Sequence, residues 1–505
     1  MTLIPVELPP GMYKNGTDYS ARGRWADGNL VRWHNQSLRP VGGWQLRRDE
    51  NQAASPALLL DPETETIRDA LPYTTNAGSS QAVFASNKQL YLLRGNQAIV
   101  PITDLPGFEP GNNKIVAELG FGIGPFGIGP YGVARPPGSW REKPVQRWAL
   151  DTWGENVLAA GVRNGPIFEI TPSGSVTVLD NAPDEVQDVI TTDQRIVMVL
   201  DNDPETRVVR WSDREDNNEW TPSTTNFAGS IRLQGAGDLV SMHKVLGQIL
   251  ILSETDAHVG RYIGAPFVYG FDRVADNCGP ISPKAVAVTD RFAMWLGDRT
   301  FYMYDGTVRQ VPCDVMDHIA ATLSPSNRSK IFTLTITEYT EIWWFYQGKD
   351  DTEVSHYVSF DYAEGHWQVG RLDRTAGMNA GLFEYPIMVN SDGELFDHEL
   401  DFEPIVDYPV YALSGPVELQ NGNRNVAVRY IFPDTQEKDS VSLTLKTRQM
   451  PTEDDYVHGP FDYRNPISTT GVLGREVRMQ VTGIGAGWEV GAMRWDVEEA
   501  GGGFR

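Results

Sequence analysis

Cysteine is almost missing from this chain: Cys278 and Cys313 are the only two in 505 residues. Two thiols cannot build a disulfide scaffold, and no CxxC pair offers a zinc knuckle or a redox couple. One bridge between them stays open as an alternative to two free buried thiols, the state expected in a reducing cytoplasm. Histidine is sparse too, eight residues scattered through the sequence, which argues against a histidine-based metal site. Long apolar runs are lacking. The longest, such as residues 245–252, fall far short of the ~20 residues of a membrane span. The start, Met1-Thr-Leu-Ile-Pro-Val-Glu-Leu-Pro-Pro10, has neither a basic stretch nor a continuous apolar one, so no signal peptide, anchor or membrane insertion is expected. Positive charge is also short, 43 Lys+Arg against 67 Asp+Glu, for a net charge of −24. A protein that grips nucleic acid neutralises phosphates with cations, so wrapping of DNA by the whole surface is excluded. A smooth acidic passage along which DNA slides is not. Residues 1–48 depart from the trend: they carry +4 and the remainder −28, so a basic arm can dock on an acidic body or neighbour.

What is abundant is punctuation. Gly 49 and Pro 33 leave little room for long helices, while 40% apolar residues suffice for a sizeable core. The length suggests two to four domains. Short runs rich in β-branched and aromatic residues recur from about residue 80 to 401, among them Gln194-Arg-Ile-Val-Met-Val-Leu200, Gly247-Gln-Ile-Leu-Ile-Leu252, Arg291-Phe-Ala-Met-Trp-Leu296 and Glu341-Ile-Trp-Trp-Phe-Tyr346. A pattern [Asn/Asp]-x-x-[Leu/Ile/Phe]-[Tyr/Phe] repeats at Asn87–Tyr91, Asn164–Phe168, Asp298–Tyr302 and Asp392–Phe396, in most copies just after an apolar strand. This is the signature of strand, Asx turn, strand. Units start near Val186, Asp238, Lys284, Ile331 and Gly381, roughly 46–52 residues apart, the period of propeller blades. A stack of hairpins in a sandwich is the plainer alternative. The expected fold is therefore all-β: an extended N-terminal arm (1–50), a β-propeller-like body of five to seven blades (51–404), and a C-terminal β-sandwich (405–505). Residues 51–70 read as a surface loop. In the last segment Val426-Ala-Val-Arg-Tyr-Ile-Phe432, Val441-Ser-Leu-Thr-Leu-Lys-Thr447 and Glu476-Val-Arg-Met-Gln-Val481 alternate apolar and polar residues, as strands with one wet face do. One short helix is expected, over residues 313–323.

Catalytic signatures do not appear. Gly122-Ile-Gly-Pro-Phe-Gly127 matches GxGxxG literally, but the prolines and glycines that follow forbid the helix a dinucleotide site needs. There is no P-loop, no HExxH and no nucleophile motif. The whole glycine-rich loop 120–132, with Gly120, Phe121, Gly122, Gly124, Phe126, Gly127, Gly129, Tyr131 and Gly132, reads as a segment packing at a subunit boundary or lining a channel, or else as an inter-blade connector. Ser212-Asp-Arg-Glu-Asp-Asn-Asn-Glu-Trp220 lacks the spacing of a sialidase Asp box, and it reads as a polar turn flanked by the core aromatics Trp211 and Trp220. Asn390-Ser-Asp-Gly393 lacks the further ligands of a calcium loop. Carboxylates are numerous enough that inventory alone does not exclude a glycosidase pair. Nothing points positively to an enzyme or to a bound cofactor or metal.

Gly23-Arg-Trp-Ala-Asp-Gly-Asn-Leu-Val-Arg-Trp-His-Asn-Gln-Ser-Leu-Arg-Pro-Val-Gly-Gly-Trp44 resembles the N-terminal signature of tail nozzle, or packaged-DNA stabilisation, proteins of short-tailed bacteriophages. The glycine-aromatic repeat at 120–132, the hairpin Gly297-Asp-Arg-Thr-Phe-Tyr-Met-Tyr-Asp-Gly306 and the ending from Arg475 to Arg505 are similar to segments of the same family. Residues 405–475 carry no such likeness. The resemblance implies a structural virion protein, made in the host cytoplasm and located in the virion tail. It implies a homohexameric tube below the portal and its adaptor ring, which continues the DNA channel, retains packaged DNA without binding it specifically, and supports tail fibres and a tip plug or needle. Arg22, Arg24, Trp25, Asp27, Arg32, Trp33, Arg39 and Trp44 are the expected contacts to a neighbouring subunit or the adaptor, since Trp and Arg dominate binding hot spots. The alternative for the three tryptophans is that they staple the arm to its own propeller. The alternative function is a receptor- or glycan-binding propeller.

Overall fold

The computed structural model describes residues 2–48, 64–97, 99–117, 142–201, 207–400, 405, 407–417, 425–436, 440–450, 453–463, 467–484 and 487–500. The glycine-rich loop 120–132 lies outside them. Seven four-stranded antiparallel sheets succeed one another, spanning residues 67–102, 148–178, 188–232, 239–276, 286–311, 332–371 and 376–400. The first strand of each abuts the first strands of its neighbours, and Ala376–Met378 of the seventh returns to Ile67–Thr74 of the first, closing a ring. This is a propeller-like body. Its second strands are buried on both sides, as in Val197–Leu200, Ala293–Leu296 and Glu341–Gln347, because both faces of a blade pack on other blades. The four Asx-turn repeats each occupy the turn between the second and third strands of a sheet, with Leu90, Ile167, Phe301 and Leu395 fully buried just beyond it.

Sheets three to six begin at Asp188, Leu239, Val286 and Phe332, each within two residues of the period read from the sequence. The seventh begins at Ala376 rather than Gly381, because its first strand is a three-residue segment with little apolar signal. Residues 67–70 belong to the first strand of the ring rather than to a loop; residues 49–63 are not described. The helix is shorter than expected, α1 over Met316–Thr322, but Val315, Ile319 and Leu323 form its buried stripe. Cys278 and Cys313 are both free thiols.

The largest departure concerns the first 48 residues. They are not an extended arm but five strands distributed among four sheets. β1 (Thr2–Val6) pairs with Met493–Glu499, β2 (Trp25–Asn29) with Val410–Ser414, and β3 (Val31–His34) with β4 (Ser37–Pro40), which pairs in turn with Glu489–Val490. β5 (Gly43–Leu46) pairs with Leu395–Leu400 and is the fourth strand of the seventh sheet. The C-terminal region is correspondingly three sheets rather than a self-contained sandwich, and each includes N-terminal strands. Its alternating segments do form the strands expected: Val441–Arg448 buries Val441, Leu443 and Leu445 while Ser442, Thr444 and Lys446 lie between them, half-buried. One apolar core joins both parts. It runs from Trp25, Trp33 and Leu38 to Trp343, Phe345 and Trp367 of the sixth sheet and to Val428, Leu443 and Trp495.

A buried ion cluster sits at this joint. The Arg32 guanidinium donates to both carboxylate oxygens of Glu399, at 2.7 and 2.8 Å, and to Oε2 of Glu341 at 3.0 Å. It also lies 3.7 Å over the Tyr339 ring. Glu399 occupies a bulge in the seventh sheet with a left-handed backbone (φ 60°), which turns its carboxylate inward to accept the Gly42 N–H as well. A side chain at residue 42 would come within 2.5 Å of the Glu399 backbone, so only glycine admits this approach. Burial alone would make Arg32 easier to deprotonate, but the two carboxylates outweigh it and raise its pKa. Removing one partner of such a cluster leaves uncompensated buried charge, which costs about 3–5 kcal/mol. Arg32→Ala should therefore lower the unfolding free energy by about that amount in urea titration. A loss under 1 kcal/mol would mean that the cluster does not hold the joint.

Candidate functional site

Two features lie on the ring axis, one at each face. The turns between first and second strands of sheets three to seven surround a cavity of about 980 Å³. Its wall carries Thr192, Gln194, Thr333, Thr335, Thr337 and Asn379 with the aromatics Tyr262, Tyr269, Phe292 and Tyr362. Several of these groups already satisfy one another. Tyr269 Oη donates to Thr192 Oγ1 at 2.9 Å, Asn379 Nδ2 donates to Thr337 Oγ1 at 2.9 Å, and Phe292 meets Tyr362 edge-on at 5.5 Å. Burial raises the Tyr269 phenol to about 12, so it stays protonated and serves as a hydrogen-bonding group, not a base. The cavity can hold a polar ligand or a protein loop. Beside its rim Leu246, Tyr262, Ile263 and Phe267 are exposed, Phe267 at 73%.

The opposite face is closed by charge. Arg68 donates to both oxygens of Glu353 at 2.6 and 2.8 Å and to Asn113 Oδ1 at 2.6 Å. Lys330 Nζ joins Glu353 at 3.0 Å, and Arg147 binds Asp69 at 3.0 Å. Arg68, Arg147 and Lys330 are all buried, so this end of the inner strands carries a charged cluster closed to solvent. Burial and the neighbouring Arg68 bring Lys330 down to about 8, while Arg68 and Lys330 overcome the burial of Glu353 and hold it at about 2. Further spaces of about 110 and 270 Å³ lie beside the inner strands, the first lined by Arg68, Asp69 and Arg147, the second by Asp188, His243 and Lys284.

The inner strands are latched by a repeated device that sequence reading missed. Asp69 Oδ2 accepts the Trp148 N–H at 2.9 Å, Asp151 Oδ2 that of Thr191 at 2.7 Å, and Asp188 Oδ2 that of Met242 at 2.7 Å. Each is an aspartate on one first strand gripping the backbone of the next, where no ladder hydrogen bonds link the sheets. The sequence signal was an acid within three otherwise β-like strands.

Among the expected contact residues, Trp25, Arg32 and Trp33 are buried within the chain, and Trp25 and Trp33 lie 5.9 Å apart. Arg24 pairs with Asp314 at 2.8 Å, Asp27 with Lys14 at 2.7 Å, and Arg39 with Glu489 at 3.5 Å. Trp44 stacks on His398 at 5.2 Å, and Arg22 is exposed. The basic segment thus docks on its own acidic body, and for the three tryptophans the staple describes the geometry. Trp211 and Trp220 are buried beside the polar turn, as expected. A second unforeseen cluster, Asp361, Glu364 and His366, lies on the turn between the third and fourth strands of the sixth sheet.

No family model matches the chain, and no curated protein matches it. Among solved structures it is similar to YCF48 bound to D1 peptide, with a TM-score of 0.39 and 10% identity over 72% of this chain and 98% of that one. It is also similar to a virginiamycin B lyase from Staphylococcus aureus (TM-score 0.38, 7% identity, 68% and 97% covered) and to BamB from Moraxella catarrhalis (0.30, 10%, 51% and 84%). Likeness at this level says nothing of function. The sheets themselves define the class: a nearly all-β protein with a propeller-like body.

Asp188 provides a test of the latch. Burial raises its pKa from 3.8 to about 6, against the opposing effect of Lys284. The folded chain then holds this proton more tightly than the unfolded chain, so the Asp188 contribution to stability falls as pH rises from about 4 to about 6. Asp188→Asn keeps a carbonyl acceptor for Met242 and should remove that part of the slope in urea titrations at pH 4, 5, 6 and 7. Superimposable profiles for the two proteins would contradict it.

Proposed function

We propose that this chain is a structural component of a short-tailed phage tail, a nozzle subunit whose copies surround a DNA passage. The observation that carries the reading is segment 23–44. The stretch that resembles the nozzle signature is also the joint that binds the propeller-like body to the C-terminal sheets, through β2, β3, β4 and Arg32. A signature set by such a joint constrains glycine, tryptophan and arginine without any catalytic group, which is the kind of pattern it is. The buried ion pairs of Arg68, Lys330 and Arg147 at one end of the ring favour a passage for DNA between copies rather than through one ring. The net charge of −24 suits a wall past which a polyanion slides without being held.

Subunit contacts then fall to surfaces other than the N-terminal tryptophans. Two exposed apolar places fit: the hairpin tip with Ile263 and Phe267, and the strand Tyr456–Asp462, where Tyr456 is 76% exposed at the edge of its sheet. The aromatic- and threonine-lined cavity favours the second reading, a module that binds a surface glycan.

The two separate in the virion. Deleting the gene from the phage that encodes it, and imaging particles by electron microscopy, should give heads that fill but leak DNA, with tails cut short below the adaptor. Particles that keep their DNA and a normal tail stem but fail to adsorb would contradict the nozzle reading and favour the glycan-binding one.

A further inference from the structure

The turn between the third and fourth strands of the sixth sheet reads Asp361-Tyr-Ala-Glu364-Gly-His366, and it folds its three ligand-type side chains onto one another. Asp361 and His366 face each other across the ladder. Oδ1 of Asp361 is fully committed, accepting the Ala363 N–H at 2.8 Å, the Glu364 N–H at 3.0 Å and the Thr340 hydroxyl at 3.1 Å. Its other oxygen, Oδ2, points to His366 Nε2 at 3.9 Å. On the far edge of the imidazole, Nδ1 stands 3.9 Å from Glu364 Oε2. Glu364 Oε1 meanwhile accepts the Asn35 N–H from the turn of the β3–β4 hairpin. One ligand atom from each residue lies within 4.8 Å of the others.

Two observations make this more than an acidic turn. His366 is buried, with a side-chain exposure of 7%, yet its Nε2 has no hydrogen-bond partner. A buried polar atom without a partner is costly and calls for an explanation. The spacing supplies one. At 3.9 Å neither nitrogen–oxygen contact is a hydrogen bond. Only one ring nitrogen can face a given cation, and it is the unpartnered Nε2: an ion about 2.0–2.2 Å from it and from Asp361 Oδ2 fits their 3.9 Å separation, and Glu364 supplies the third donor from within the 4.8 Å cluster. The imidazole is also held in place: Trp33 meets it edge-on at 6.1 Å, and Gly11 packs so closely that an added Cβ would lie 2.6 Å from that of His366.

We propose that Asp361, Glu364 and His366 form a site for a divalent transition cation of the zinc class, which pins the N-terminal hairpin to the sixth sheet. A nitrogen and two carboxylate oxygens are a donor set that suits Zn²⁺ better than Ca²⁺, which prefers six or more oxygens. Three protein ligands leave a fourth position to water. Because Glu364 also holds Asn35, and Trp33 of β3 packs on His366, a bound ion fixes both sides of the joint at once. Its role is structural.

The test is isothermal titration of Zn²⁺ into the full chain after chelator stripping and dialysis, with Ca²⁺ as a comparison. One equivalent should bind, tighter for Zn²⁺ than for Ca²⁺, and saturating Zn²⁺ should raise the unfolding temperature. Glu364→Gln keeps an acceptor for Asn35 at a partly exposed position, and it should weaken Zn²⁺ at least tenfold with the apo fold unchanged by circular dichroism. His366→Gln should do the same; if that variant does not fold, Glu364→Gln decides. The proposal is overturned if no stoichiometric Zn²⁺ binding is seen. It is equally overturned if Glu364→Gln binds as tightly as the parent, which would place the ion on other surface carboxylates.

Discussion

A ring of sheets has to be closed by something, because the first and last sheets to be made are far apart in sequence. Here the closing strand is β5, from the very start of the chain, laid against Leu395–Leu400 near the end of the propeller-like body. The chain leading into β5 is anchored by Arg32, whose guanidinium is shared between Glu341 of the sixth sheet and Glu399 of the seventh. Three buried charged groups are expensive to desolvate, and they are tolerable only because the geometry is bidentate and both carboxylates find further donors. Trp343 Nε1 supplies Glu341 at 2.9 Å and the Gly42 N–H supplies Glu399. The cost fixes one register for β5 and one position for the hairpin before it. A propeller-like ring and three additional sheets thereby become a single body with a shared apolar core.

Charge is arranged on the same economy. An acidic chain keeps several of its cations inside, where each neutralises a specific carboxylate: Arg68 and Lys330 share Glu353, Arg147 takes Asp69, and Arg47 takes Asp397. On the proposed nozzle reading the acidic exterior has a use, since DNA would meet few cations as it moved. On that reading the docked N-terminal strands push the question of assembly outward, to exposed apolar positions such as Phe267 and Tyr456.

Much of the architecture was legible because blades impose a short, repeated grammar. Asn87, Asn164, Asp298 and Asp392 mark the same turn in four sheets, and the 46–52 residue period located the starts of sheets three to six within two residues. That signal is local: a tight turn and a buried neighbour, both written in five residues. What could not be read was long-range. Nothing in Gly43-Trp-Gln-Leu46 says that its partner lies some 350 residues away, and Arg32 with Glu399 is a pair only once the ring exists. The same blindness turned Trp25 and Trp33 into expected subunit contacts, since hot-spot composition and a buried joint look alike in sequence. Asp361, Glu364 and His366 were passed over because eight scattered histidines gave no spacing to test, although the three residues fall within six positions on one turn.

The single body described by these contacts depends on β5 being part of the ring rather than a peripheral addition. Native-state hydrogen exchange on the intact chain, read residue by residue, tests this directly. If β5 closes the ring, the amides of Gln45 and Arg47, which face Asp397 and Leu395 across the ladder, should exchange only through global unfolding, with the same protection as Met388 and Val389 in the middle of the seventh sheet. If those two amides exchange through a separate, low-energy opening while the sheet behind them stays protected, the strand is an accessory, and the account of how this protein is held together is wrong.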